Sequence, residues 1–246
     1  MSQVQSTNMW DTKIIKNAIE SFEFCDEIIV IDNNSTDKTA ETSEKLGAKV
    51  YKKESRNFSV LRNFGKENAK GDFILYLDAD EIISDELKKN IVEIAKQDKP
   101  AASYSITRKN YYLGKNEWPK KEKIKRLFLK EKLVGWKGTI HESPVVDGGV
   151  EELGGYILHF THRNLSQMLK KTIEWSEEEA KLKLAARHPK MSLWRFFRVM
   201  ATTFIDYYIK QKGYKLGTVG LIESIYQSFS TFITYARLWE MQKKVS

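Results

Sequence analysis

Two short apolar runs that end in carboxylates constrain this chain more than any other feature. The first, Ile28-Ile29-Val30-Ile31, leads into Asp32-Asn33-Asn34-Ser35-Thr36-Asp37. The second, Phe73-Ile74-Leu75-Tyr76-Leu77, leads into Asp78-Ala79-Asp80-Glu81. Runs this short and this uniformly apolar fit strands buried on both faces, as in a parallel sheet. Open α/β sheets bind ligands beyond the carboxyl ends of their strands, where both acidic groups fall. Carboxylates in Asp-x-Asp spacing suit a hard divalent cation, and the cation suits a diphosphate. The sequence therefore predicts a nucleotide-diphosphate site.

The surrounding pattern supports that layer. Helices are predicted over 12–24, 37–46 and 58–69, with Gly47 placed to close the second. Val50 and Tyr51 mark a short strand, and Ser84 can cap a helix that carries Leu87, Ile91, Ile94 and Ala95 on one stripe. Strand and helix alternate, which predicts a parallel α/β layer. From residue 101 to about 162 the pattern changes to short β-prone pieces at 103–107, 124–129 and 156–160. The remainder is helical in pattern, over 166–186, 193–209 and 221–239. The expected division is residues 1–162 as the ligand-binding and catalytic domain and 163–246 as a helical region.

With 246 residues, 41% hydrophobic and 30% charged, the chain reads as folded rather than disordered. A single cysteine, Cys25, rules out an internal disulfide framework and is compatible with a reducing compartment. The first ten residues lack the pattern of a secretory signal. A net charge of +8 invites nucleic acid, anionic lipid or phosphorylated substrates as partners. Nucleic acid is not favoured: acids and aromatics break the Lys-rich stretch from 115 to 132, and no nucleic-acid module is present. The stretches 193–209 and 221–239 are rich in aromatic and aliphatic residues, but Arg195, Arg198, Asp206, Glu223 and Arg237 interrupt them. They are expected to lie on an anionic bilayer surface, or else to pack on the catalytic domain or a second subunit. Oligomeric state is left open.

Individual residues admit a chemical and a structural reading. Asp78 and Asp80 can bind a cation, or a cation and a ribose hydroxyl, with Glu81 as a third acid; alternatively they solvate a turn. Asp32, Asn33 and Asn34 can meet a base or ribose edge, and the same residues can form an Asx turn. Arg62, beside Asn63, can brace a diphosphate or sit on the surface. Glu142 is a candidate general base, with His141 next to it to orient it or to contact phosphate, although a His-Glu pair without further context is uninformative. For His159 and His162, a structural role is weighed above metal or phosphate binding.

Several of these segments resemble one family. Ile29-Val30-Ile31-Asp32-Asn33-Asn34-Ser35-Thr36-Asp37-Lys38-Thr39 resembles the V-D-D-G-S-T-D-G-T nucleotide-binding segment of family 2 glycosyltransferases. Leu61-Arg62-Asn63-Phe64-Gly65 is similar to their A-R-N-x-G stretch, and Asp78-Ala79-Asp80 to their metal-binding DXD. Lys125-Arg126-Leu127-Phe128, Trp136-Lys137-Gly138, His141-Glu142 and the aromatic tail look like the lipopolysaccharide-core glucosyltransferase subgroup, the WaaE-like proteins.

The resemblance implies an α/β GT-A fold (Rossmann-like, with a mostly parallel sheet) followed by a helical C-terminal region. It implies an inverting transfer of a sugar, UDP-linked by expectation, from a nucleotide-diphosphate donor with Mg²⁺ or Mn²⁺. The acceptor would be a saccharide or lipid-linked, in lipopolysaccharide-core or cell-envelope glycan synthesis at the inner face of the cytoplasmic membrane. Carried over, Asp32 and Asn33 hold the nucleoside, Arg62 lies near the diphosphate, Asp78 and Asp80 meet the metal and ribose, and Glu142 is the base. Two features depart from the pattern. The family opens on a hydrophobic strand of the type S-V-I-I-x-x-Y-N-E, whereas residues 1–10 are polar and short, so the first strand is expected to be missing or diverged. Asn33 also replaces the usual second acid. A nucleotidyltransferase would be expected to carry a Gly-rich basic loop near the N-terminus, which this chain lacks. The remaining alternative is a catalytically impaired relative that serves as a binding or scaffold protein.

Overall fold

The structure, a computed structural model, describes residues 2–6, 12–139 and 142–245. In chain order these form β1 (Ser2–Ser6), α1 (Thr12–Glu20), β2 (Ile28–Asp32), α2 (Thr39–Lys45), β3 (Lys49–Lys52), α3 (Phe58–Asn68), β4 (Phe73–Asp78), β5 (Glu81–Ile83) and α4 (Asp85–Ile94). There follow β6 (Ser103–Tyr112), β7 (Asn116–Glu117), β8 (Glu122–Leu129), β9 (Leu133–Lys137), β10 (Ser143–Val146), β11 (Val150–Phe160), α5 (Leu165–Ala185), α6 (Leu193–Ile205) and α7 (Gly217–Val245). They divide into two compact units, Met1–Lys109 with Lys121–His159, and Asn110–Lys120 with Phe160–Ser246.

The first unit is built on a sheet of order β3-β2-β1-β4-β8-β6-β11-β5. Its first four strands are mutually parallel. The β-prone pieces extend it: β8 runs antiparallel to β4 and β6, and β5 antiparallel to β11. Successive residues of β2 and β4 enter opposite cores, as strands covered on both faces require. Val30, Leu75 and Leu77 join Ile15 and Ile19 of α1 and Leu87, Ile91 and Ile94 of α4. Ile29, Ile31, Ile74 and Tyr76 join Leu61 of α3, Phe128, Leu133 and Trp136. The Ser84 hydroxyl accepts the Leu87 N–H and caps α4 as expected, and Gly47, at φ +83°, follows α2.

The N-terminal slot is filled. β1 pairs in parallel with β2 on one side, Ser2 opposite Ile28, and with β4 on the other, Ser2 opposite Leu75. The strand is therefore not missing but diverged in composition. Sheet ladders are made by the backbone, so a polar segment can occupy a place that hydrophobicity alone would not assign to it.

In the second unit, β7 folds back on Tyr111 and Tyr112. Trp118, which follows it, is buried against Tyr112 and Tyr207, and its indole N–H donates to Gln211 at 2.8 Å. That insertion ties residues 110–120 to the helices. α5 meets α7 through the Tyr226 hydroxyl, which donates to the Met168 carbonyl at 2.5 Å and lies 2.6 Å from the Thr172 hydroxyl. α6 ends at Ile205 and passes into a π-helical turn, Asp206–Lys210, where one continuous helix over 193–209 was predicted. Among the described residues no helix is long and apolar enough to cross a membrane.

Gly155 sets the fit of α4 on β11. Its φ is +91°, and a Cβ there would lie 2.4 Å from the Leu87 backbone nitrogen. Gly47 has a comparable φ of +83° but open space around it. Gly155→Ala is therefore expected to destabilise the first unit by ~3 kcal/mol or more, and Gly47→Ala by only ~1 kcal/mol. Urea unfolding of the two variants beside the parent checks the difference.

Candidate active site

The carboxyl end of β4 places Asp78 at the sheet margin, and the turn that follows is closed by its own acid. The Asp78 N–H donates to Glu81 Oε2 at 2.9 Å, which fixes Glu81 beneath the turn with no exposed surface. Three arginines from three other elements converge on this turn. Arg62 of α3 donates from Nη2 to Asp78 Oδ1 at 2.9 Å and from Nε to Glu142 Oε1 at 2.9 Å. Arg126 of β8 donates to Asp78 Oδ2 at 2.9 Å and approaches Glu81 Oε1 at 3.6 Å. Arg108 of β6 donates to the same Glu81 oxygen at 3.0 Å and to Glu122 Oε2 through Nε and Nη2. Opposite charges thus alternate from Glu142 through Arg62, Asp78, Arg126, Glu81 and Arg108 to the more exposed Glu122.

Arg62 is held by aromatic faces as well as by acids. It is 3% exposed, and its guanidinium carbon lies 4.8 Å from the Trp136 ring centre and 5.7 Å from that of Tyr76. Asn63, the next residue, faces away into β9. It accepts the Trp136 N–H at 2.8 Å and donates to the Trp136 carbonyl at 3.1 Å. Adjacent residues of the Arg-Asn pair therefore divide the work: one carries charge into the site, and the other fixes the strand that supplies its aromatic support.

Electrostatics follow from this geometry. Burial alone would raise the Asp78 pKa, but Arg126, Arg62 and Arg108 outweigh it and hold the carboxyl well below the ordinary range. Burial would lower the Arg62 pKa, but Asp78 and Glu142 outweigh it and keep the guanidinium charged. Burial raises the Tyr76 phenol, which stays neutral. Arg62 Nη1, Arg126 Nε and Trp136 Nε1 are buried without a hydrogen-bond partner, three donors beside one cluster.

Asp80 is 3% exposed, and its Oδ2 lies 3.1 Å from His159 Nε2 on β11. Among the described residues, no group of three or more His, Cys, Asp and Glu side chains is arranged to hold a metal. Mg²⁺ is commonly held by one or two carboxylates, with waters and substrate phosphates completing its shell. Asp80 offers one such carboxylate with His159 beside it, whereas both oxygens of Asp78 are taken by Arg62 and Arg126, so waters and phosphates would have to complete the shell.

The turn after β2 has a structural role of its own. Buried Asp32 accepts the Ser35 N–H at 3.1 Å, and Asp37 accepts the Thr39 N–H at 2.9 Å. Asn33 binds the Ser55 backbone twice, accepting its N–H at 2.9 Å and donating to its carbonyl at 3.0 Å. Asn34 has φ +62°.

Arg62, Asp78 and Glu142, named from sequence, are brought together with Arg62 bridging the two acids, and Asp80 meets His159. His162 belongs to the second unit, where its Nδ1 lies 2.8 Å from Glu223 Oε1. His141 lies outside the described residues. Sequence reasoning assigned no role to Arg108 or Arg126. For Arg126 the available signal was a charge inside an otherwise apolar strand end, Arg126-Leu127-Phe128; Arg108 offered none beyond its place in a strand.

A model of Glycosyl transferase family 2 matches residues 12–145. A protein of Rickettsia typhi described as an uncharacterized glycosyltransferase is 30% identical over 247 residues, covering 94% of this chain and 84% of the relative. The lipopolysaccharide core biosynthesis glycosyltransferase LpsC of Rhizobium meliloti is 23% identical over 236 residues, covering 90% and 86% respectively. Among solved structures, the mannosyltransferase PcManGT from Pyrobaculum calidifontis, in complex with GDP-Man and Mn²⁺, superposes with a TM-score of 0.53 at 12% identity. The alignment covers 97% of this chain and 86% of that one, a likeness of fold. The architecture is GT-A.

Because the folded-state pKa of Asp78 is depressed, its stabilising effect is full above the unfolded carboxyl value and is lost as pH falls below it. Asp78→Asn is therefore expected to be markedly less stable than the parent near pH 7, with the gap narrowing as pH falls below about 4. Urea midpoints of both proteins across that range check the convergence.

Proposed function

This chain belongs to glycosyl transferase family 2, and from that premise we propose that it transfers a hexose from a UDP-linked donor to a saccharide or lipid-linked acceptor with inversion. The observation that carries the reading is Arg62, which binds both Asp78 and Glu142 and so joins the diphosphate, ribose and base positions expected of a transferase in one cluster. Similarity to LpsC, described as a lipopolysaccharide core biosynthesis glycosyltransferase, supports an acceptor of the cell-envelope glycan class.

In the proposed reaction Glu142 takes the proton of the acceptor hydroxyl, the hydroxyl oxygen bonds to the anomeric carbon, and the bond to the diphosphate breaks. Arg62 anchors the base through Oε1, which leaves Oε2 for the acceptor. The unpartnered donors Arg62 Nη1 and Arg126 Nε suit the added negative charge of a diphosphate. Asp80, with His159 beside it, would hold Mg²⁺ or Mn²⁺, and Asp78 serves by setting Arg62 and Arg126. The cation would supply Lewis-acid neutralisation of the leaving diphosphate. Asp32 and Asn33 border the nucleoside, the amide of Asn33 shaping the turn through Ser55.

Calorimetric titration with UDP, with and without Mn²⁺, tests the donor site. Metal-dependent binding is expected in the parent, with a loss of about tenfold or more in Asp80→Ala at unchanged melting temperature. Glu142→Gln is expected to keep UDP binding while turnover falls by about 10²–10⁴-fold. An absence of UDP binding by the folded parent, or metal-dependent binding undiminished in Asp80→Ala, overturns the assignment.

A further inference from the structure

α6 turns its apolar side outward. Its inner face carries Phe196, packed at 5.6 Å on Phe232 of α7, buried Val199, and Met200, whose carbonyl accepts the Ser228 hydroxyl at 2.9 Å. The opposite face presents Trp194, Phe197, Ala201 and Ile205 at helical spacing, all exposed, with Leu193 at its start. Leu193 is 75%, Trp194 71% and Phe197 62% exposed, values far from those of covered side chains. Scattered apolar residues on a surface need no explanation, but a continuous helical stripe does.

The charge around the stripe identifies what covers it. From 187 to 215 the chain carries Arg187, Lys190, Arg195, Arg198, Lys210, Lys212 and Lys215 against a single acid, Asp206. That acid accepts a hydrogen bond from the Gln211 side chain at 2.7 Å. A two-fold dimer through this face would set the stripe and its seven cations against seven identical cations, with Asp206 alone on each copy to offset them. An anionic lipid surface instead offers acyl chains to the aromatics and headgroup charge to the arginines. At 13 residues α6 is too short to span a bilayer, so it would lie in the interface.

We propose that the exposed face of α6 is a docking surface for an anionic lipid bilayer, with Trp194 and Phe197 inserted and Arg195 and Arg198 at the headgroups. The proposal rests on the second unit alone and not on the reaction assigned above. Flotation of the full chain with phosphatidylcholine vesicles, with and without phosphatidylglycerol, tests it. The parent is expected to float with the anionic vesicles and to be released by raised salt. Trp194→Ser with Phe197→Ser should lower the partition coefficient by about tenfold or more. Arg195→Gln with Arg198→Gln should abolish the preference for anionic vesicles. Both variants should melt as the parent does and retain its response to UDP, because the altered side chains lie outside the packed face. The proposal is overturned if the aromatic double variant floats like the parent. It is overturned equally if the parent ignores vesicles but forms a dimer, by sedimentation velocity, that the aromatic variant abolishes.

Discussion

A single buried cation, the Arg62 guanidinium, dictates much of what surrounds it. A charge removed from water at this depth is tolerable only when it is paired and hydrogen-bonded on several sides. Its two partners, Asp78 and Glu142, lie 16 and 80 residues away in sequence, so the pairing requires α3, β4 and the segment before β10 to be assembled first. Asp78 then needs a second cation for its other oxygen, which Arg126 supplies, and Arg126 in turn lies near Glu81. Glu81 has no exposed surface and is matched by Arg108, and Arg108 by Glu122, where the chain of compensation reaches water. Each charge is present because its neighbour would otherwise be stranded.

The same logic explains why the parallel strands end as they do. Backbone groups at strand ends are no longer paired by a ladder, and short polar side chains take over. After β2 this is done by Asp32, Asn33 and Asp37, which accept backbone N–H groups of Ser35, Ser55 and Thr39. After β4 it is done by Glu81, which takes the Asp78 N–H. Both solutions bury an acid, Asp32 after β2 and Glu81 after β4, but the arginines converge on the second, where Arg108 and Arg126 lie against Glu81.

The sheet was legible where its strands are apolar. β2, β4 and the helices between them follow from periodicity and caps, because both faces of those strands enter the core. β1 was not legible, since its place is held by backbone pairing that a polar composition does not announce. In the site, Asp78 and Asp80 stood out because they end an apolar run, whereas Glu142, a candidate base from its residue type, had no local pattern to single it out and was supported by family resemblance. Arg108 and Arg126 lie on strands that join the sheet only through antiparallel pairing far along the chain, and no local pattern reports what a strand will be laid beside. The pairing of Asp80 with His159, 79 residues apart, has the same cause.

In the second unit, periodicity alone left the direction of each face open. Phe196 and Phe197 are adjacent in sequence and chemically identical, yet one packs on Phe232 and the other is 62% exposed. Hydrophobic content marks both as buried; only the position of α7 separates them. What remains after that separation is an apolar stripe bordered by cations on a helix too short to span a bilayer. A lipid-linked acceptor would bring its own reason for an enzyme to rest on a bilayer, but the stripe does not require one. The charge pattern on α6 and the Arg62 cluster on α3 are separate observations in separate units, and either reading can fail while the other stands.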